Sequence, residues 1–145
     1  MGRLRQLLKN SQSLAKVFEK EIYLVVSSEK AYIIDLNTAQ LMKGEDSDEK
    51  SLGFYKSPAY AEMKMILNPR GVVDLKLTGN FHESFFLEDS GNDFPFTINA
   101  TDEKRDELVE KYGEGIFGLS EKSLADLREH LLPIIRKRFL DLLHL

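Results

Sequence analysis

The sequence predicts an α+β fold: a small antiparallel β-sheet packed against an N-terminal helix pair and a long, kinked C-terminal helix, in a single domain spanning residues 1–145. Three patterns predict it. Leu4, Leu7, Leu8, Leu14, Val17 and Phe18 recur at helical intervals, so residues 3–20 read as an amphipathic helix. In the sheet core, 72–100, Val73, Leu75 and Leu77 alternate with Asp74, Lys76 and Thr78, and Phe94, Phe96 and Ile98 alternate with Pro95, Thr97 and Asn99. That two-residue period belongs to a sheet with one buried face. Over residues 120–145, Leu124, Leu127, Leu131, Ile134, Ile135, Phe139, Leu142 and Leu143 form a long helical stripe.

Each element has its own signals. The first helix is locally basic, with Arg3, Arg5, Lys9, Lys16 and Lys20 against Glu19; such a face is either solvated or turned toward an acidic partner. Residues 21–27 hold a short apolar run whose length suits a strand or a buried helix segment, and periodicity does not separate the two. Ser28 as cap, Tyr32, Ile33, Leu36, Ala39 and Leu41 at helical spacing, and Gly44 as stop predict a second helix over 28–43. Residues 44–53 are an acidic loop. Asp46 and Asp48 resemble the opening of a calcium loop, but Lys50 takes a ligand position, Ser51 replaces the turn glycine and no glutamate closes the loop, so a solvated turn is expected.

Ser57 and Pro58 open a helix to Leu67, with Met63, Ile66 and Leu67 expected to face the sheet. Residues 81–87 are apolar enough for a third strand, although Leu77, Phe81 and Phe85 at intervals of four equally suit a helical turn. Residues 88–93 are turn chemistry. Thr101 caps a short charged helix through Lys111. The glycine-rich loop 112–119 carries Tyr112, Ile116, Phe117 and Leu119, which are costly to leave in water; it either folds back onto its own sheet or docks into a neighbour. Pro133 should kink the last helix or break it near Leu132.

Composition excludes several classes. A net charge of -4 argues against a general nucleic-acid binder, which needs an excess of cations. The absence of cysteine leaves no disulfide and no thiolate metal site. The N-terminus mixes charge throughout, no stretch reaches membrane-spanning length, and Gln6 stands where a myristoylation signal needs Ser or Thr. His82, His130 and His144 are far apart. Ser84 and His82 share one side of a strand but lack an orienting acid; a small hydrolase would need both in one open cleft. The reading is therefore non-enzymatic, with no catalytic residue, cofactor or metal assigned.

The order of the signals says more than any one of them. DLNTAQL at 35–41, QLMKG at 40–44, the acidic turn and Phe54–Tyr55, SPAYAEMK at 57–64, DLKLTGNFHES at 74–84 and KYGEGIFGL at 111–119 together resemble the small tail-completion or neck proteins of tailed bacteriophages, including their virion-morphogenesis relatives. The closest flavour is that of phages and prophages of Bacteroides-type bacteria. Phe81 stands where many members have Leu, and Glu49–Lys50 fills a turn where glycine is usual.

The resemblance implies a non-enzymatic virion protein that forms a homo-oligomeric ring in the neck, joining the head connector to the tail. Its partners would be further copies of itself and the portal/connector and tail-tube proteins. It would be assembled in the host cytoplasm, without membrane or specific nucleic-acid contact. Thr78–Gly79 would make the tight entry to the sheet, with Leu77, Phe81 and Phe85 anchoring it to the helices. A ring needs one patch that fits a different patch on the next copy. Tyr112, Ile116, Phe117 and Leu119, with the open sheet edge, are the expected subunit contact; replacing Ile116 and Phe117 by Ser should then leave a folded subunit that no longer assembles. Arg3, Arg5, Arg136, Lys137 and Arg138 are the expected contacts to connector or tail proteins. The alternative is a small cytoplasmic protein-interaction module acting as monomer or dimer.

Overall fold

The computed structural model describes residues 2–68, 71–76, 79–89 and 96–145. Along the chain come α1 (Gly2–Ser28), α2 (Lys30–Met42), α3 (Pro58–Leu67), the single turn α4 (Asn80–Glu83), β1 (Phe85–Glu88), β2 (Thr97–Ala100), α5 (Arg105–Tyr112), a 3₁₀ turn (Glu114–Ile116) and α6 (Glu121–Leu142).

Residues 21–27 are helical, so α1 is uninterrupted for 27 residues, about 40 Å at 1.5 Å per residue. Val25, in the middle of the ambiguous run, is buried. Ser28 does not cap α2; its hydroxyl donates to the Val25 carbonyl at 2.7 Å. Gly44 ends α2 with φ +79°, and a Cβ there would lie 2.8 Å from Val72 Cβ, so both conformation and space demand glycine.

α6 runs antiparallel to α1 and then α2. Phe18 stacks on Phe139 at 4.5 Å, Glu21 pairs with Arg138, Glu29 meets His130 at 2.7 Å, and Gln40 accepts from the Ser120 N–H at 2.8 Å. Ser120 caps α6 by accepting from Ser123 N–H. The helix continues through Pro133 rather than breaking near Leu132, and the C-terminal segment, taken from the 3₁₀ turn at Glu114 to residue 142, bends by 30°. Within α6, Pro133 removes one backbone bond and crowds the carbonyl a turn back. His144, at φ +58°, closes the helix: Leu145 N–H bonds Leu140 O and His144 N–H bonds Asp141 O, the paired bonds of a left-handed helix stop.

The sheet has two described strands, with β1 and β2 antiparallel and Phe85 opposite Ala100. Residues 73–76 do not extend it. Val73 and Asp74 are both buried and Leu75 has φ +57°, which no alternating strand tolerates; only Val72 makes an isolated bridge, to Phe54. Leu77, Thr78 and residues 90–95 lie outside the described residues. Phe81 sits on the helical turn α4, so 81–87 splits between the two readings the sequence left open. The core joins Leu41, Phe81, Phe85, Ala100 and Ile116, with the Phe81 and Phe85 rings edge to face at 5.0 Å.

Two further expectations change. Thr101 does not cap α5; Asp102 Oδ1 accepts the Lys104 N–H at 2.9 Å just before the helix. On α3, Met63 and Ile66 are exposed and Lys64 is buried; the side chain of Leu67 lies outside the described residues. In the acidic loop, Asp46 Oδ1 accepts the N–H groups of Asp48 and Lys50, which makes it a self-satisfied turn. Glu49 there takes φ +61°, the conformation in which glycine is unstrained.

Candidate assembly interface

The loop expected to contact a neighbour is bound by its own chain. Ile33, Asn37, Gln40 and Leu41 share the buried face of α2, so two amide side chains point inward and need partners. They find them in residues 116–123, mostly in the backbone. Asn37 Nδ2 donates to Ile116 O at 3.0 Å and Asn37 Oδ1 accepts from Gly118 N at 2.9 Å. Gln40 Nε2 donates to Gly118 O, while its Oε1 accepts from Ser120 N and Ser123 Oγ. A segment too rich in glycine to hold itself is thereby fixed from outside. Ile116 is 0% exposed, and Tyr112 and Phe117 pack on the core cluster; Leu119 is half-buried. Of the two fates open to 112–119, folding back is the one realised, and Ile116 is a core residue rather than a contact residue.

A second polar knot holds the irregular body. Lys64 Nζ, 1% exposed, meets Asp74 Oδ1 at 2.9 Å and also donates to the Lys76 carbonyl. Asp74 further accepts from Tyr55 OH (3.0 Å), Asn68 Nδ2 (3.0 Å) and Lys76 N (2.9 Å). A buried ion pair is tolerable only when hydrogen bonds saturate it, and here they do: no buried side-chain N or O among the described residues lacks a partner. Burial alone would raise the Asp74 carboxyl, but Lys76 N–H, Lys64 and Tyr55 outweigh it and hold it below the usual carboxylate range. Burial pushes the Tyr55 phenol well above its ordinary value and the His82 imidazole down.

His82 Nε2 bonds the Asp74 carbonyl at 2.9 Å, whereas Ser84 Oγ donates to Phe81 O at 2.8 Å and accepts from Asp102 N. The two side chains are committed to separate backbone groups. An open cleft of about 700 Å³ lies beside Tyr55, Tyr60, Phe81, Leu108 and Tyr112, and its rim mixes Lys56, Lys104 and Lys111 with Asp102 and Glu103.

The surface the chain leaves uncovered lies elsewhere. Every residue from Gly2 to Val17 is exposed; α6 ends three residues beyond Phe139, which stacks on Phe18, and the first part of α1 projects past that end. With residues near 14 facing the end of α6, roughly 18 Å of helix overhangs. Leu4, Leu7, Leu8 and Leu14 are 68%, 58%, 61% and 45% exposed, on the same side of α1 as Phe18 and Val25. The stripe that seats on α6 therefore continues into solvent. Arg5, Lys9, Lys16 and Lys20 lie on the opposite side. Of the expected partner contacts, Arg3 and Arg5 are on this overhang, Arg136 and Lys137 are exposed at the end of α6, and Arg138 is engaged with Glu21. Phe54, and Met63, Met65 and Ile66 of α3, are exposed as well.

Comparison of the chain with protein-family models, with curated proteins and with solved structures finds no match in any of the three. No described helix is long and apolar enough to cross a membrane.

Two outcomes follow from this placement. Ile116→Ser should destabilise the fold by about 3–5 kcal/mol, as emptying a filled core position and burying a hydroxyl does; urea unfolding checks it, and a stable, soluble variant would return the loop to the surface. The second concerns pH. A folded His82 held below 6.5 refuses a proton that the unfolded chain accepts, so its stability is complete above the ordinary value and declines as pH falls below it. Asp74, also held low, adds a further loss once pH drops below the ordinary Asp range. Urea midpoints should therefore fall between about pH 7.5 and 5.5, and His82→Gln should flatten that decline; an equal slope in the variant would exclude His82 as its source.

Proposed function

We propose that this chain is a non-enzymatic structural subunit of a bacteriophage virion, assembling with its own copies into a ring in the neck that joins the head connector to the tail. The observation that carries the reading is the leucine stripe of α1, continuous with an internal helix interface and exposed along its length. A monomer normally leaves only small, scattered apolar areas in water, and several adjacent leucines on a projecting helix mark a surface meant to be covered. The resemblance in the runs at 35–41, 57–64, 74–84 and 111–119 supplies the virion setting, and the polar knots give those same runs a shared structural task.

The overhang and the basic residues around it, Arg3, Arg5, Arg136 and Lys137, then serve the neighbours: copies of the chain along the ring, and connector or tail-tube proteins above and below. No group-transfer chemistry enters this role, and the work is done by shape and burial.

Purified chain should form discrete oligomers by light scattering and closed rings by negative-stain microscopy, and Leu4→Ser/Leu7→Ser/Leu8→Ser should dissociate them while changing the thermal midpoint by no more than a few degrees, since exposed positions contribute little to the subunit's own stability. A wild-type chain that stays monomeric at every concentration, alone and with connector proteins, would overturn the reading.

A further inference from the structure

We infer that the buried cluster of Lys64, Asn68 and Asp74 closes a covalent bond of its own: the Lys64 amine displaces ammonia from the Asn68 side-chain amide, with Asp74 carrying the protons. The bond lies inside one subunit and forms whether or not copies assemble.

Three observations point to it. A nucleophile, an electrophile and a proton carrier meet in one place. Lys64 Nζ lies 2.9 Å from Asp74 Oδ1, and Asn68 Nδ2 donates to the other oxygen, Oδ2, at 3.0 Å, so one carboxylate touches both reacting groups within the reach that proton transfer needs. The backbone brings the two side chains together. Asn68 follows Lys64 by four residues, and its N–H bonds the Lys64 carbonyl at 2.6 Å, which makes the two residues neighbours on the last turn of α3. Water is also kept out. Lys64, Asp74 and Asn68 are 1%, 4% and 8% exposed, so water does not compete with the amine for the amide carbon.

The electrophile is Asn68 rather than Asp74, because a neutral amide carbon accepts an electron pair that a carboxylate repels. Lys64 passes one proton to Asp74, and the Nζ lone pair adds to Asn68 Cγ. A second proton from Nζ reaches Asn68 Nδ2 through Asp74, the Cγ–Nδ2 bond breaks and ammonia departs. One C–N bond replaces another and nothing is oxidised or reduced. Asp74 is left as a neutral carboxyl, so a buried ion pair gives way to a buried amide. The hydrogen bonds from Lys76 N–H and Tyr55 OH favour the charged form of Asp74 and slow the first proton transfer, but the reaction has to occur only once in each chain. Residue 69 is proline. Asparagine commonly loses ammonia to the N–H of the following residue, and proline has none, so ammonia lost at Asn68 reports attack by a side chain.

Mass spectrometry of the purified full chain, denatured and then digested with trypsin, tests this. The expected result is an intact mass lower by one ammonia, and a peptide 57–70 that carries the loss, resists cleavage after Lys64 and yields no separate fragments between residues 64 and 68. Lys64→Arg, which keeps the charge but not the nucleophile, and Asn68→Ala should both have the full mass. In the linked chain the Asp74 share of the acid destabilisation disappears while the His82 share stays. A wild-type chain at full mass with Lys64 open to trypsin would overturn the inference. Loss of one water, with Asp74 in the linked peptide, would overturn the assignment of Asn68, and a link that survives Asp74→Ala would overturn the proton carrier.

Discussion

The two inward amides of α2, Asn37 and Gln40, decide how the last third of the chain is arranged. A polar side chain on a buried helix face is unfavourable unless its donor and acceptor are both used, and the groups that use them here are the backbone atoms of Ile116, Gly118 and Ser120. That requirement draws a glycine-rich segment into the core, seats Ile116 against Leu41 and Phe85, and starts α6 beside the end of α2. Once α6 starts there, its path back along α1 sets Phe139 on Phe18, and the residues of α1 before Phe18 are exposed. The buried amides at one end and the bare leucines at the other are consequences of one register.

The body between them is held by charge rather than by regular structure. Residues 71–76 cannot form a strand because Asp74 turns inward to Lys64, and the pair is stable only because Tyr55, Asn68 and Lys76 complete its hydrogen bonds. With Lys64 buried, the opposite side of α3 falls to Glu62 and Ile66, and Met63 and Met65 flank it on either side.

The helices were legible in the sequence because their leucine spacing and their serine caps at Ser57 and Ser120 are local signals. The sheet was only partly legible. Alternation at 73–77 looks the same whether Asp74 faces water or a buried lysine, and no local pattern reveals a partner ten residues away. Ile116 reads differently in the structure for a similar reason: it is costly in water, but whether it finds cover at home depends on Asn37 and Gln40, some eighty residues earlier. A signal was nevertheless present, since Asn and Gln on the apolar side of a predicted helix ask for a backbone to bind. The uncovered part of α1 could not be read without knowing where its antiparallel partner stops. The runs that carry the resemblance are the ones tied together in space, 35–41 to 111–119 and 57–64 to 74–84, so the likeness concerns how the chain is built as much as what it touches.

Hydrogen exchange followed as a function of protein concentration tests the central claim most directly, that the glycine loop is internal and the first helix is the contact. The account predicts that the amides of Gly118 and Ser120 are already protected in the dilute subunit and do not change, while residues 2–17 gain protection as copies associate. Protection that rises with concentration over 112–119, with residues 2–17 unaffected, would contradict it.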